Sequence, residues 1–189
     1  MKRILVISIL ILAIPIIVSE MFAQPVQGKK FEFSTSASMY NVKENGGETN
    51  TSINIPLRIG YYIFRGLEIE PEFLLTIPEE SEDTGYFIMV NLAYNFKASE
   101  KIMPFVLAGG GYGNGYTFYT LVSDWDMGVT ALNFGAGIKY LVGDSAALRI
   151  EYRFTKYSGE EIKSYTWGTY TEKIDRTDNN ILVGISIFF

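Results

Sequence analysis

The chain contains no histidine and no cysteine among its 189 residues. Without histidine it lacks the commonest general base and the commonest metal ligand. Without cysteine it has no disulfide, no thiolate metal site, no cysteine nucleophile and no lipidated N-terminal cysteine. Basic side chains are the minority, 16 against 21 acidic ones, for a net charge of −5. No basic patch is visible, which argues against nucleic acid as a partner. After Ala23 no helical periodicity of useful length appears.

What is present favours strands. Tyr and Phe occur 13 times each and Gly 18 times, against 2 Trp. Aromatic residues in such numbers suit a pleated, half-buried surface. The first residues are a separate object. Lys2 and Arg3 precede a continuous apolar run, Ile4 to Val18, and "SEMFAQ" follows it. The pattern is that of a secretory signal peptide ending at Ala23, with Met21 standing where a small residue is usual. The run is short for a spanning helix, which needs about 20 residues. Residues 1–23 are therefore read as a cleaved signal peptide and residues 24–189 as one domain.

Period-two alternation recurs through that domain. In Ser52 to Ile63, the residues Ile53, Ile55, Leu57, Ile59, Tyr61 and Ile63 alternate with Ser52, Asn54, Pro56, Arg58, Gly60 and Tyr62. Similar runs span Lys30–Tyr40, Leu67–Ile77, Tyr86–Phe96, Ala131–Leu141, Leu148–Phe154 and Asn180–Phe189. The run Met103–Gly113 is apolar and Gly-rich on both faces, so its sides stay unassigned. Eight runs of about 10 residues each have the length a tilted strand needs to cross a bilayer. The connections between them alternate, short at 64–66, 97–101 and 142–145, longer or more polar at 41–50, 78–85, 114–128 and 157–179.

Alternation alone does not say which face is inside, because soluble and membrane barrels share the period and swap the faces. Several observations choose the membrane barrel. Five of the apolar faces carry no charge, as expected where a charge at the bilayer midplane costs about 2–4 kcal/mol. The other face is rich in Gly and Ser, which suit a narrow interior. Aromatics (Tyr61, Tyr86, Tyr94, Phe96, Tyr140, Phe154 and Phe189) sit near the ends of the apolar face, as interfacial girdles do. Loop lengths alternate, and the leader directs export. Pro56 and Pro71 fall inside predicted strands of a barrel without edges, so either bulges or shifted strand boundaries are expected there.

The pieces "PFVLAGGGYG" at 104–113, "ALRIEYRF" at 147–154 and "ILVGISIFF" at 181–189 resemble the small outer-membrane β-barrel family, of the OmpA transmembrane-domain and OmpX type. The resemblance implies an all-β, eight-stranded antiparallel up-and-down transmembrane β-barrel in a bacterial outer membrane. It also implies assembly by the barrel-insertion machinery, with Ile185, Ile187 and Phe189 as the C-terminal assembly signal.

If the oily faces meet lipid, Glu32, Arg58, Glu68, Glu70, Glu72, Lys139, Arg149, Glu151 and Arg153 point inward. Desolvation makes isolated interior ions costly, so these are expected to pair. If Ile63 faces Leu67 across the short turn, Arg58 falls opposite Glu72. Arg149 and Arg153 would then answer Glu68 and Glu70 across the lumen. One reading of the set is a plug of ion pairs, and it is the favoured one because eight strands leave room only for side chains. The alternative is a narrow porin-like channel for ions or small solutes. A third reading, from another class, is a soluble periplasmic ligand-binding barrel.

No catalytic constellation is legible, since histidine-dependent hydrolases lack their base here. No cofactor and no metal site is expected. The acids of "PEESED", 78–83, read as a solvated loop in preference to a divalent-cation site. "NGYTFYTLVSDWD" (114–126) and "SYTWGTYTEKIDRTDNN" (164–180) mix aromatics with hydroxyls and acids. They read as interfacial caps, with an unknown surface ligand as the alternative. The expected partners are outer-membrane lipid and the insertion machinery.

Overall fold

Alternating β-branched and aromatic residues stand opposite one another all round the molecule, and each run finds a neighbour on both sides. A computed structural model describes residues 28–43, 49–78, 84–114, 128–165 and 168–189. Its strands are β1 (Phe31–Lys43), β2 (Thr49–Phe64), β3 (Leu67–Pro78), β4 (Gly85–Asn95), β5 (Ile102–Asn114), β6 (Gly128–Leu141), β7 (Ala146–Tyr165) and β8 (Gly168–Phe188). Each pairs antiparallel with the next, and β1 pairs with β8 to close the barrel. Closure removes the free edges that a flat sheet would leave unsatisfied in lipid. The leader, residues 79–83 of the acidic loop and residues 115–127 lie outside the described residues.

Side-chain exposure inverts that of a soluble protein. On β7, Ile150 is 54% exposed while its neighbour Glu151 is fully buried. Leu148, Tyr152 and Phe154 also point out, and Arg149 and Arg153 point in. β4 repeats the pattern without interruption, with Tyr86, Ile88, Val90 and Leu92 outside and Phe87, Met89, Asn91 and Ala93 inside. β5, whose sides its sequence left open, turns Met103, Phe105 and Leu107 inward and Val106 and Tyr112 outward.

The β2–β3 turn shows how the short connections are made. Arg65 and Gly66 both have positive φ, 36° and 90°. Two left-handed central residues match the right-handed twist of the flanking strands. A Cβ on Gly66 would stand 2.3 Å from the Asn95 carbonyl oxygen, whose residue donates its own N–H to Gly66 O at 2.8 Å. The register slips by one residue at this turn, where Phe64, not Ile63, faces Leu67.

Two expectations need correction. The prolines do not sit on bulges. Around Pro56 the β1–β2 register resumes unchanged after a gap between the pairs Thr35–Leu57 and Ser38–Asn54. Around Pro71 the β2–β3 register likewise resumes after a gap between Arg58–Glu72 and Tyr61–Ile69. A strand residue aims its N–H at one neighbour only, so each proline interrupts one ladder and leaves the other intact. Pro56 keeps its pairing with Leu74, and Pro71 with Val90.

The stretch 157–179 is not a loop. β7 and β8 stay paired out to Tyr165 and Gly168. The β6 partner ends at Gly159 and the β1 partner at Val183, so the hairpin continues beyond the barrel wall. From Gly159 to Tyr165 it extends roughly 20 Å at the usual strand rise.

Candidate functional site

The interior is built from every second residue of the eight strands, and nine charged side chains occupy its middle. Glu32 comes from β1, Arg58 from β2, Glu68, Glu70 and Glu72 from β3, Lys139 from β6, and Arg149, Glu151 and Arg153 from β7. All nine are buried, none more than 3% exposed.

Toward the long connections the contacts centre on Glu72 and Glu151. Arg58 Nε donates to Glu72 Oε2 at 2.8 Å, and Arg153 Nη1 donates to Glu72 Oε1 at 2.6 Å. Arg153 Nε donates to Glu151 Oε1 at 2.6 Å. Arg58 and Glu72 are direct cross-strand partners, as expected, although the turn pairing assumed for it is replaced by Phe64–Leu67 and a one-residue shift between Tyr62 and Phe64 restores the register. Toward the short turns, Arg149 reaches across to Glu70 with Nη1–Oε2 at 2.6 Å and Nη2–Oε1 at 3.2 Å. Its Nη2 also stands 2.9 Å from Glu151 Oε2. Lys139 Nζ lies 2.5 Å from Glu32 Oε2 and 3.1 Å from Glu68 Oε2.

The cross-lumen partners differ in part from expectation. Arg149 meets Glu70, Arg153 meets Glu72 and Glu151, and Glu68 is answered by Lys139. The stagger of a closed barrel decides which residues share a level, and that stagger is not visible in one strand's alternation.

Neutral residues that sequence reasoning passed over complete the hydrogen bonding. Tyr62 Oη donates to Glu32 Oε2 at 2.5 Å, and Ser36 Oγ accepts from Arg58 Nη1 at 3.0 Å. Asn91 Nδ2 donates to Glu72 Oε2 at 3.1 Å, and Asn95 Nδ2 to Glu68 Oε2 at 2.9 Å. Their signal was their place on the same alternate face as the charges. The Phe105 ring lies under two cations, 4.6 Å from the Arg149 guanidinium carbon and 5.4 Å from Lys139 Nζ. Such contacts stabilise desolvated cations.

Apolar clusters pack against the ionic layer at both ends. Tyr62, Met103, Ala147 and Phe188 form a cluster at the short-turn end, with Leu141 packed against it. Leu74, Phe87, Met89, Val129, Ala131 and Tyr157 form another at the opposite end. The charged layer is therefore held between two packed layers, the one toward the long connections completed on its β1–β3 side by Ser38, Asn54 and Thr76. Inward glycines make room for this filling: a Cβ on Gly137 would stand 2.6 Å from the Phe105 ring, and one on Gly111 would stand 2.4 Å from the Met89 side chain.

Aromatics gather at the rim near the termini. The Phe31 ring centroid is 5.1 Å from that of Tyr61 and 5.9 Å from that of Phe189. Phe189 is tied to Phe31 by backbone hydrogen bonds in both directions, at 2.9 and 3.0 Å. Ile185 and Ile187 sit on the same outward face.

A closed eight-stranded barrel with an apolar exterior and an ionic interior is a transmembrane β-barrel. The family model described as outer membrane protein beta-barrel domain matches residues 9–187, and the chain belongs to that family: it is a small bacterial outer-membrane barrel. A soluble ligand-binding barrel is thereby set aside, because its charged face would have to be the outer one. Among solved structures, the barrel is similar to Neisserial surface protein A, with 15% identity over 84% of this chain and 96% of that one, at a TM-score of 0.57. It is similar to a de novo designed transmembrane β-barrel, with 16% identity over 87% and 99% of the two chains and a TM-score of 0.53. It is also similar to outer membrane protein W of E. coli, with 14% identity over 85% and 98% and a TM-score of 0.53. At these identities the likeness is one of fold. No curated protein sequence matches the chain.

Proposed function

We propose that the protein is a structural or surface-interaction component of the outer membrane, without catalysis, whose lumen is closed by its ion-pair layer. The observation that carries this reading is the stacking of the charged layer between two buried apolar clusters. A conducting path needs a continuous hydrated route, and here the charged side chains are themselves fully packed and abut further buried side chains at each end. The charges then act as structure: they satisfy one another across the barrel and fix strand against strand.

The surface-interaction part rests on the β7–β8 hairpin, which carries paired backbone past the barrel wall. Its exposed face includes Lys156, Lys173 and Asp175, with Lys156 Nζ 3.3 Å from Asp175 Oδ1. Any surface ligand would be met by this hairpin and the neighbouring long connections. Residues 1–23 serve as a signal peptide removed on export. Ile185, Ile187 and Phe189 present the outward-facing terminal pattern for the barrel-insertion machinery.

The test is solute flux. Reconstituted into liposomes, the protein is expected to leave the vesicles as impermeable to small sugars and ions as protein-free vesicles. Size-dependent entry of solutes would favour the narrow-channel reading instead.

A further inference from the structure

Among the described residues the buried ionic layer carries five carboxylates and four cations, and the surplus is local. Glu72 and Glu151 lie with Arg58 and Arg153 in the half toward the long connections. In the other half Glu32, Glu68 and Glu70 share Lys139 and Arg149, and Arg58 reaches in only as far as Glu70, at 3.6 Å. Carboxylate oxygens of these three acids lie within 4.8 Å of one another, and all three side chains are fully buried. A buried carboxylate without a counter-charge is costly enough that such a group takes up a proton instead.

The three acids are not served equally. Glu70 accepts two contacts from the Arg149 fork, and Arg58 Nε stands 3.6 Å from it. Glu32 Oε2 accepts from Lys139 Nζ and Tyr62 Oη, both at 2.5 Å, and Arg149 Nη1 is 3.6 Å from its other oxygen. Glu68 has only the longer Lys139 contact, at 3.1 Å, and the neutral Asn95 amide, at 2.9 Å, both on Oε2. Its Oε1, like Glu32 Oε1, has no hydrogen-bond partner, but Glu32 Oε1 has Arg149 Nη1 at 3.6 Å, whereas Lys139 is the only buried cation within 4 Å of the Glu68 carboxylate. Glu68 Oε1 lies against Gly60, where a Cβ would stand 1.7 Å from it. A neutral carboxyl oxygen tolerates such a slot far better than a carboxylate oxygen does.

Among the described residues the elements packed against Glu68 supply no further cation, and Lys29, ahead of β1, is engaged with Phe188 O at 3.0 Å. β1 offers Glu32, β2 offers Tyr62 and Arg58, and β3 offers Glu70. β4 offers the neutral Asn95, β5 the Phe105 ring, β6 Lys139, and β7 Arg149 with Glu151. On β8 the buried residues near this end, Ser186 and Phe188, are neutral.

We propose that the Glu32–Lys139–Glu68 cluster holds one proton more than full ionisation of its groups would leave, and that Glu68 carries it at neutral pH. The inference rests on the closed lumen of the proposed function, since a hydrated lumen would solvate the extra carboxylate. The two fail differently: a leaky lumen shows in solute flux, whereas an absent proton shows only in the carboxyl signal.

The experiment is infrared spectroscopy of the folded protein in detergent micelles at neutral pH, with Glu side chains isotope-labelled. One neutral-acid carbonyl band is expected in the folded protein. It should be absent from the denatured chain and lost in Glu68→Gln. No such band in the folded wild type would overturn the proposal, and so would a band that persists in Glu68→Gln. Should that variant not fold, the folded-against-denatured comparison of the wild type still decides whether the proton exists.

Discussion

Arg149 and Glu70 face each other across the barrel interior through two contacts, at 2.6 and 3.2 Å, with both side chains fully buried. Nothing in their local strands requires them to meet; closure of the barrel does. Arg149→Ala would leave Glu70 without its fork and weaken the contact that Glu151 receives. Removing one partner of a buried pair costs about 3–5 kcal/mol. Urea unfolding in micelles, followed by the gel shift between folded and unfolded forms, should show that loss. The double variant Arg149→Met/Glu70→Leu is expected to cost less than the sum of the single changes, with a coupling of about 0.5–3 kcal/mol.

The two faces of β7 should respond differently to charge and to volume. Ile150→Arg places a cation among lipid tails and is expected to cost about 2–4 kcal/mol. Glu151→Gln is not a mild control, because Glu151 is contacted by Arg149, Arg153 and Arg58 at 2.9, 2.6 and 3.6 Å. Volume separates the faces more cleanly. Ile150→Phe adds bulk against fluid lipid and should leave the unfolding midpoint nearly unchanged. Ala93→Phe adds bulk beside Phe105 and Leu107 in a packed interior, where overpacking costs about 1–3 kcal/mol or more. A larger loss from Ile150→Phe than from Ala93→Phe would mean that the sides are reversed.

Much of this was legible before any coordinates. The alternation of Ser52–Ile63 names its outward residues one by one; the pairing of Arg58 with Glu72 is as expected, but the bulge that preserves it next to the turn is not visible in the sequence. Less was legible where the physics of a single strand is silent. Met103–Gly113 hid its sides because its inward glycines at 109, 111 and 113 leave space for side chains of β4, so no polar residue marks the inner face. Tyr157–Asn179 resembled a loop because lipid no longer enforces an apolar face beyond the bilayer, although the ladder continues. The partners of Lys139 and Arg153 depend on strand stagger around the whole barrel, which no local pattern encodes.

Gly137 tests the filling of the interior. An added Cβ would meet the Phe105 ring at 2.6 Å and the Ile150 carbonyl oxygen at 2.3 Å. Gly137→Ala is therefore expected to displace the ring from beneath Arg149 and to lower stability by about 1–3 kcal/mol. Gly143, with open space around it, should accept alanine with little change. Thermal unfolding of both variants in micelles provides the comparison.

Phe189 separates assembly from stability. In the folded barrel its ring stacks on Phe31 at 5.9 Å, a contact worth about 0.5–1.5 kcal/mol. If the terminal residues also act as an assembly signal, Phe189→Ala should reduce the folded protein recovered from outer membranes many-fold. Refolding of the purified chain into micelles should be little affected. Equal losses in the two assays would leave Phe189 a packing residue only.

The hairpin above the barrel should be separable from it. Deleting residues 160–173 and closing the strands with a tight turn removes none of the buried ion pairs described above. The shortened protein is expected to keep its unfolding midpoint and its membrane location. Any binding to cells or surfaces that the intact protein shows should fall with the deletion.

The closed lumen is the claim on which the rest depends, and single-channel recording in planar bilayers tests it most directly. The purified wild-type protein is expected to insert without steady conductance, while Arg149→Ala combined with Phe188→Ala, which opens the ionic layer and one apolar lid, should produce current steps. Reproducible, steady conductance from the wild type itself would contradict the closed-lumen account.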